Sequence, residues 1–296
     1  MKRTTEQEIL LRNAKRAVLL NRYSGISISS MYEELILKKE CCDERFMRGY
    51  VCKHKLLKSN EVYFLKTYLK DADETRLQLV QDYVVYHGAY PEGQVLIMQS
   101  KDVELIVALL SYYDINEDGN ISEQALEALV QLKDAKLLHD VLKKHITEQT
   151  EMHYNYPHCI WQTCYELTLK MQDVQMLKAF CTLRFVPQCH FGAEHEKMIF
   201  VHGTDEMVLF YLTQWQLFDE TIDNLTNGHL EYAKWADVLK IEIERRKLPV
   251  SALLNLVRLE KQDLLKAHYE KYGLEPEVLA FYTNQKNFKK DVGLRA

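Results

Sequence analysis

Apolar residues recur along most of this chain at the helical spacing i, i+3 and i+4, and short polar pairs that often contain aspartate interrupt them. The apolar residues on either side of Lys133-Asp134 are Leu126, Leu129, Val130, Leu137, Leu138, Val141 and Leu142. Such spacing places apolar side chains on one face of each predicted helix. An aspartate in the polar pair can accept from backbone N–H groups that begin the next helix. Each segment is therefore predicted to be a helical hairpin.

The aspartate of the polar pair recurs at a nearly regular interval. Asp102 and Asp134 are 32 residues apart, and so are Asp173 and Asp205. The interval from Asp134 to Asp173 is 39 residues, which indicates an insertion, and that from Asp205 to Asp263 is 58. The longer interval leaves space for one more unit, which begins with a turn near residues 227–229. With a weaker copy at residues 59–69, seven units are predicted between about residues 50 and 275.

A hairpin of this kind cannot bury its apolar face alone and has to stack on its neighbours. The sequence therefore predicts an all-α fold: a right-handed α-solenoid of stacked helical hairpins with a period of about 32 residues and no β-hairpins. Residues 1–50 are predicted to form an N-terminal helical cap, in which Ser30 and Glu33 form a capping box. Residues 51–283 form the repeat array, and the polar, basic residues 284–296 form a C-terminal tail.

Three phrases in the array carry a resemblance to a known repeat family. Asn227-Gly228-His229-Leu230-Glu231 is similar to the phrase that opens the second helix of many ankyrin repeats. Tyr113-Asp114-Ile115-Asn116 resembles the loop that follows such a helix, and Asp118-Gly119-Asn120 resembles the start of the next repeat. The ankyrin signature Thr-Pro-Leu-His does not occur, so the array resembles a degenerate ankyrin-like one. The resemblance implies a concave protein-binding surface and carries over no catalytic residues.

Composition narrows the class of protein. The net charge of −5 disfavours nucleic acid as a partner. The seven cysteines are odd in number and irregularly spaced, which is typical of free thiols in a reducing compartment. Charged residues interrupt the apolar positions of the first 20 residues, and no stretch is long enough for a membrane span. The sequence therefore predicts a cytoplasmic protein that does not associate with membranes.

One loop resembles a calcium-binding EF-hand loop. Asp114, Asn116, Asp118 and Ser122 occupy positions at which that loop places oxygen ligands, and helices are predicted on both sides. The twelfth position, where a bidentate glutamate completes the calcium shell, is Ala125. The same residues also suit a polar loop between repeats. Calcium is accordingly a possible ligand, whereas no cofactor is predicted.

Two groups of cysteines and histidines have the residue types of a zinc site but not its spacing. They are Cys41, Cys42, Cys52 and His54 in the first group and Cys189, His190 and His195 in the second. Neither group contains the paired ligands of common zinc sites. Buried free cysteines are the simpler interpretation.

Eighteen tyrosines provide the remaining candidates for a binding surface. Tyr68, Tyr112, Tyr113, Tyr211 and Tyr269 lie near the ends of predicted second helices. Their rings either pack between units with the hydroxyl in water or serve as anchors for a partner. The sequence favours packing for most of them and partner binding for a few.

The leading functional prediction is a non-enzymatic protein-protein interaction scaffold that binds a partner on the concave solenoid surface. One alternative is a calcium-responsive module that uses the loop at residues 114–125. Another is a nucleic-acid-associated helical repeat protein that binds through its basic clusters.

Overall fold

The structure is a computed structural model that describes residues 8–9, 12–13, 16, 30–39, 44–70, 73–115, 120–151, 158–183 and 191–284. All regular secondary structure in these ranges is helical, so the predicted all-α class is confirmed for them. The helices are α1 (Ser30–Leu37), α2 (Glu44–Val51), α3 (Lys58–Lys70), α4 (Glu74–His87), α5 (Pro91–Gln99), α6 (Val103–Ile115), α7 (Glu123–Gln131), α8 (Ala135–Glu151), α9 (His158–Met171), α10 (Val174–Leu183), α11 (Ala193–His202), α12 (Asp205–Gln214), α13 (Asp219–Asn227), α14 (Trp235–Arg245), α15 (Val250–Arg258), α16 (Gln262–Tyr272) and α17 (Pro276–Asn284).

The chain divides into two compact units, Met1–Cys164 and Tyr165–Ala296. In the first unit α1, α3, α5 and α7 pack in succession, each on the next, and α4, α6 and α8 do the same. Contacts between α3 and α4 and between α5 and α6 join the two rows. Most of the packing is therefore between a helix and the second helix after it in sequence.

The second unit repeats this scheme within itself. Helices α11, α13, α15 and α17 form one row of packed neighbours, and α10, α12, α14 and α16 form another. Successive helices also contact each other in the pairs α11–α12, α13–α14 and α15–α16. The local packing of both units is thus that of helical hairpins laid side by side.

The first helices of the hairpins share one register of buried positions. Their fourth, seventh and eighth residues are buried, as in Leu126, Leu129 and Val130 of α7. The same positions of α15 are Leu253, Leu256 and Val257. This is the i, i+3, i+4 stripe read from the sequence, and all seven apolar residues named there around Lys133-Asp134 are buried. Burial of this stripe against neighbouring helices supplies the main driving force for folding.

The turns inside several hairpins follow one design. Asp102, Asp134 and Asp173 accept from backbone N–H groups of the following helix, with N···O distances of 2.8–3.1 Å. The residue before each aspartate has a positive φ: 62° at Lys101, 52° at Lys133 and 55° at Gln172. The predicted Asp cap is therefore confirmed at these three turns. Positive φ, which usually calls for glycine, is here adopted by long polar residues.

Two of the predicted aspartate positions are not caps. Thr204 caps α12 through its hydroxyl, which accepts from the Met207 N–H, and Asp205 is the first residue of that helix. Asp263 is the second residue of α16 and has no capping role. The spacing of the aspartates thus located these hairpins correctly, although a neighbouring residue begins the helix.

The ankyrin-like phrase at residues 227–231 is a turn. Gly228 ends α13 in the left-handed conformation with φ 81°, and Leu230 is buried in the connection. The next helix begins only at Trp235. The predicted turn is confirmed, but this phrase does not open the second helix as its ankyrin counterpart does.

Glu33 does not form the capping box expected with Ser30. Its carboxylate is buried and accepts hydrogen bonds from residues of α2, α3 and the connection between them.

In the part of the chain described, every helix is too short or too polar to cross a bilayer.

The positive φ at Lys133 predicts that glycine is more stable there. We expect Lys133→Gly to raise the free energy of unfolding by about 0.5–1 kcal/mol, because glycine adopts this conformation without the clash of a Cβ atom. Lys143→Gly, at an exposed position inside α8, should lower it by about 1 kcal/mol. Chemical denaturation of both variants tests this. A loss of stability in Lys133→Gly would contradict the proposed strain at the turn.

Candidate functional site

Four polar side chains occupy the fourth position of a first helix, where the other first helices bury an apolar residue. They are Glu33 in α1, Glu61 in α3, Gln94 in α5 and Glu196 in α11. All four are at most 2% exposed. Burying a carboxylate is costly unless hydrogen bonds satisfy its oxygens. The hydrogen-bond partners of these four side chains therefore decide whether each has a structural role or a catalytic one.

Each of the three glutamates accepts from one tyrosine hydroxyl. Tyr50 donates to Glu33 at 2.9 Å, Tyr83 to Glu61 at 2.7 Å and Tyr211 to Glu196 at 2.5 Å. In every case the tyrosine belongs to the helix that follows the one carrying the glutamate. The bond therefore joins the two helices of one hairpin.

The other carboxylate oxygen of each glutamate accepts from a backbone N–H of the next hairpin. The donors are Leu57 for Glu33 at 2.7 Å, Tyr90 for Glu61 at 2.7 Å and Phe218 for Glu196 at 2.8 Å. Each donor immediately precedes a helix and lies seven residues after the tyrosine of the same set. We call each set of a glutamate, its tyrosine and its backbone donor a polar clamp. A polar clamp ties one hairpin to the start of the next.

Gln94 occupies the corresponding position in α5, where its uncharged amide replaces the carboxylate. Its amide oxygen accepts from the backbone N–H of Ser122, which caps α7, and its amide group donates to the carbonyl of Ala89. The Tyr113 hydroxyl also donates to the Ala89 carbonyl. The tyrosine thus binds the connection next to Gln94 and not the side chain itself.

The polar clamp around Glu61 perturbs the pKa values of its own members. Burial raises the pKa of Glu61 to about 7, although the bonds from Tyr83 and from the Tyr90 N–H oppose the shift. Burial and the facing glutamate raise the pKa of Tyr83 well above its ordinary value. The hydroxyl therefore remains a donor, and Glu61 titrates near neutral pH.

One edge of the first unit presents exposed apolar side chains next to these buried groups. Val85 and Tyr86, in the last turns of α4, are 51% and 67% exposed. Gly88 ends this helix with φ 62°, and a Cβ atom there would lie 2.4 Å from the ring of Tyr112. The half-buried Tyr112 of α6 is therefore held against the end of α4. This edge has the exposed aromatic residues that protein interfaces favour.

The five tyrosines predicted to bind a partner lie in three different environments. Tyr68 and Tyr211 are buried, with their hydroxyls directed at Met47 and Glu196, so their rings pack inside the protein. Tyr112 and Tyr113 are half-buried at the edge just described. Tyr269, on α16 in the second unit, is 38% exposed. The structure thus brings together only Tyr112 and Tyr113.

The calcium prediction rests largely on residues outside the described ranges. Asn116 and Asp118 lie outside them, and only the backbone of Asp114 is described, at the end of α6. The hydroxyl of Ser122 accepts from the Ala125 N–H and caps α7. Calcium binding by this loop stays a prediction.

The predicted zinc groups are described only in part. Cys41, Cys42, Cys189 and His190 lie outside the described residues. The ring of His54 stacks on Tyr50, and His195 Nδ1 accepts from the Gly192 N–H. Within the described ranges, no three His, Cys, Asp or Glu side chains are grouped as they would be around a metal ion.

A cleft of about 410 Å³ opens among α1, α2, α3 and α4 and is lined by Tyr63, Tyr68 and four cationic side chains. Two of the cations, Lys39 and Arg48, both lie 3.4 Å from Glu44, and Lys39 lowers the pKa of that carboxylate. Internal ion pairs thus offset much of the positive charge. The cleft is a weaker anion site than its composition indicates.

A second cleft, of about 480 Å³, lies by the first residues of α11 and α13. Its one cation, Arg246, bonds Asp219 at 2.8 Å and the buried Glu242 at 3.2 Å. This arginine therefore pairs with one buried and one exposed carboxylate within the unit.

No protein-family model matches the chain, and neither does any curated protein or any solved structure.

The polar clamps were missed by the sequence reasoning, although a signal for them is present. Each acceptor precedes two buried apolar residues at i+3 and i+4, as Glu61 precedes Phe64 and Leu65. A lone glutamate or glutamine in line with an apolar stripe marks a buried acceptor. Its tyrosine and backbone donors are separate in sequence and can be recognised only once the helices are paired.

The raised pKa of Glu61 predicts a specific pH dependence of stability. The folded state holds a proton on Glu61 up to about pH 7, whereas the unfolded chain releases it near pH 4.5. The stabilisation is therefore present at low pH and lost as the pH rises through 7, by about 3 kcal/mol at most. We expect Glu61→Gln to remove this part of the dependence in denaturation at pH 5 to 8. The exposed control Glu206→Gln should keep it, and an unchanged slope in Glu61→Gln would contradict the assignment.

The polar clamp also predicts a large effect for one hydroxyl group. Tyr83→Phe removes the donor to Glu61 and the acceptor of the Leu56 N–H, which lies 3.2 Å away. We expect a loss of about 2–4 kcal/mol in the free energy of unfolding, because two buried polar groups remain unpaired. Tyr86→Phe is a matched control on the exposed side of the same helix and should stay within about 0.5 kcal/mol. Equal stability of the two variants would rule out the clamp as a stabilising element.

Proposed function

We propose that this protein is a non-enzymatic scaffold that binds another protein, and that each unit is a segment of a right-handed α-solenoid. The observation that carries the proposal is the exposed pair Val85 and Tyr86 in the last turns of α4, whose terminal Gly88 lies against the ring of Tyr112. Large apolar side chains exposed together on a folded surface mark interaction sites. Tyrosine is among the residues that contribute most to binding energy at interfaces.

The polar clamps support this proposal because they make the edge rigid before a partner arrives. In stacked repeats, stability depends on contacts between neighbouring hairpins. Glu61 connects α3, α4 and the residue before α5, so the position of α4 is tied to both neighbours. A preorganised surface loses less conformational entropy on binding than a mobile one.

The buried glutamates support a structural role over a catalytic one. Both oxygens of Glu61 and of Glu196 accept hydrogen bonds from the chain itself. A general base needs an oxygen within reach of its substrate. We therefore assign these carboxylates to the connection between hairpins, and cytoplasmic partner binding remains the proposed activity.

Site-specific photo-crosslinking tests the scaffold proposal. A photoreactive phenylalanine analogue is placed singly at Tyr63, Tyr86, Leu209 or Tyr269, which are all exposed. We expect at least one position to give a discrete crosslinked protein in native-cell lysate, because exposed apolar residues are the proposed anchors. Exposed polar positions Lys66 and Thr213 are the controls and should give none. Absence of a crosslinked partner at all four positions would reject the scaffold.

A further inference from the structure

Charge is distributed very unevenly along the chain. Residues 77–132, from α4 to the end of α7, contain nine acidic residues and the single cation Lys101, a net charge of −8. The whole chain carries only −5, so the remainder is net positive. The acidic residues are Asp82, Glu92, Asp102, Glu104, Asp114, Glu117, Asp118, Glu123 and Glu127.

The fold brings the ends of four helices from this segment to one edge. The Tyr113 hydroxyl at the end of α6 binds the Ala89 carbonyl between α4 and α5. The Ser122 N–H before α7 binds Gln94 in the first turn of α5 at 2.8 Å. The C-terminal ends of α4 and α6 and the N-terminal ends of α5 and α7 therefore lie together. We call this surface the acidic edge and define its anchor residues as Val85, Tyr86, Glu123 and Glu127.

Several acidic residues of this segment are already engaged. Glu92, in the first turn of α5 at this edge, pairs with Lys58 at 2.7 Å. Asp102, which caps α6, and Glu104, which pairs with Lys144, lie at the opposite end of α6 from the edge. Lys55 lies over the ring of Tyr90, at 4.7 Å from its centroid. Lys55 and Lys58 reduce the negative potential on the side of the edge that α5 forms.

Glu123 and Glu127 keep their charge available on the exposed face of α7. Both are exposed, and within the described ranges neither forms an ion pair. The only bond to the carboxylate of Glu127 there comes from Gln131 one turn later, at 2.8 Å. The acidic edge thus combines the exposed carboxylates of Glu123 and Glu127, on α7, with the exposed apolar side chains of Val85 and Tyr86, on α4.

We propose that the acidic edge docks a segment of the partner protein that carries arginine or lysine interleaved with apolar residues. This rests on the proposed scaffold function and specifies its surface and the chemistry of its partner. Apolar residues of the segment cover Val85 and Tyr86, and its cations face the tyrosine ring and Glu123. Packed helices lie about 8–10 Å apart, so an extended segment of roughly six residues spans the ends of three neighbouring helices.

The charge makes this choice of partner specific. This pair of exposed carboxylates, Glu123 and Glu127, attracts a basic segment and repels acidic ones, so association should weaken with salt. It also repels nucleic acid, whose phosphates carry the same sign. A basic polypeptide is therefore the partner chemistry that fits both the carboxylates and the apolar pair.

The test is crosslinking from position 86 of the full chain, followed by mass spectrometry of the crosslinked partner peptide. We expect this peptide to be net positive, and the yield to fall severalfold between low salt (about 50 mM) and high salt (about 500 mM). The same segment, made as a synthetic peptide, should bind the full chain in calorimetry. Its affinity should fall roughly fivefold to tenfold in the double variant Glu123→Gln and Glu127→Gln, which lacks two facing charges.

A matched control separates a local effect from a general change in net charge. The double variant Glu206→Gln and Glu231→Gln removes two exposed carboxylates from the second unit and should leave the affinity unchanged. Equal losses in both double variants would overturn the assignment to the acidic edge. The Tyr86→Ser variant should fold normally, because this side chain is 67% exposed, and should bind the peptide more weakly.

The remaining outcomes distinguish this inference from the scaffold proposal. A neutral or acidic peptide crosslinked at position 86 would overturn the inference and leave the scaffold in place. A partner crosslinked at Tyr269 but not at position 86 would do the same. No partner at any exposed position would reject both.

Discussion

In four of the described hairpins, the packing on the next hairpin depends on a buried hydrogen-bond acceptor at the fourth position of the first helix. That acceptor binds the backbone N–H that precedes the next first helix, as Glu61 binds the N–H of Tyr90. The first N–H groups of a helix have no partner within it, and its N-terminus favours negative charge. A carboxylate from the preceding hairpin satisfies both requirements at one point. Neighbouring hairpins are therefore held in register by a polar bond inside an apolar interface.

Such a bond stabilises only when it is complete. A buried carboxylate loses its hydration, and this loss is offset only if both oxygens have donors. The tyrosine of each polar clamp supplies the second donor, and its own helix is thereby tied to the same point. For Glu61, the effect of burial still exceeds that of the two hydrogen bonds, so its pKa is raised to about 7. The same clamp connects α4, which carries this tyrosine and the exposed residues Val85 and Tyr86, to its neighbours.

The sequence was most informative where interactions are local. The helical period around Lys133-Asp134 and the aspartate caps at Asp102, Asp134 and Asp173 depend on residues within one or two turns, and all are present. It was less informative about Glu33, whose expected partner Ser30 is three residues away but whose actual donors are 17 to 27 residues away. The same holds for the predicted tyrosines. Tyr68 and Tyr211 are buried and Tyr269 is exposed, and their positions in the sequence did not distinguish them.

The sequence by itself therefore determined the helical class, the positions of the hairpins and the strong acidity of residues 77–132, because periodicity, capping and charge are properties of neighbouring residues. Only the tertiary structure decided which polar residues are buried and which aromatic residues are exposed. It also decided that the end of α4, which carries the apolar pair Val85 and Tyr86, and the start of α7, which carries Glu123, belong to one edge. These features arise from contacts between helices that are distant in sequence, and the periodicity of one helix does not identify its partner residues in another.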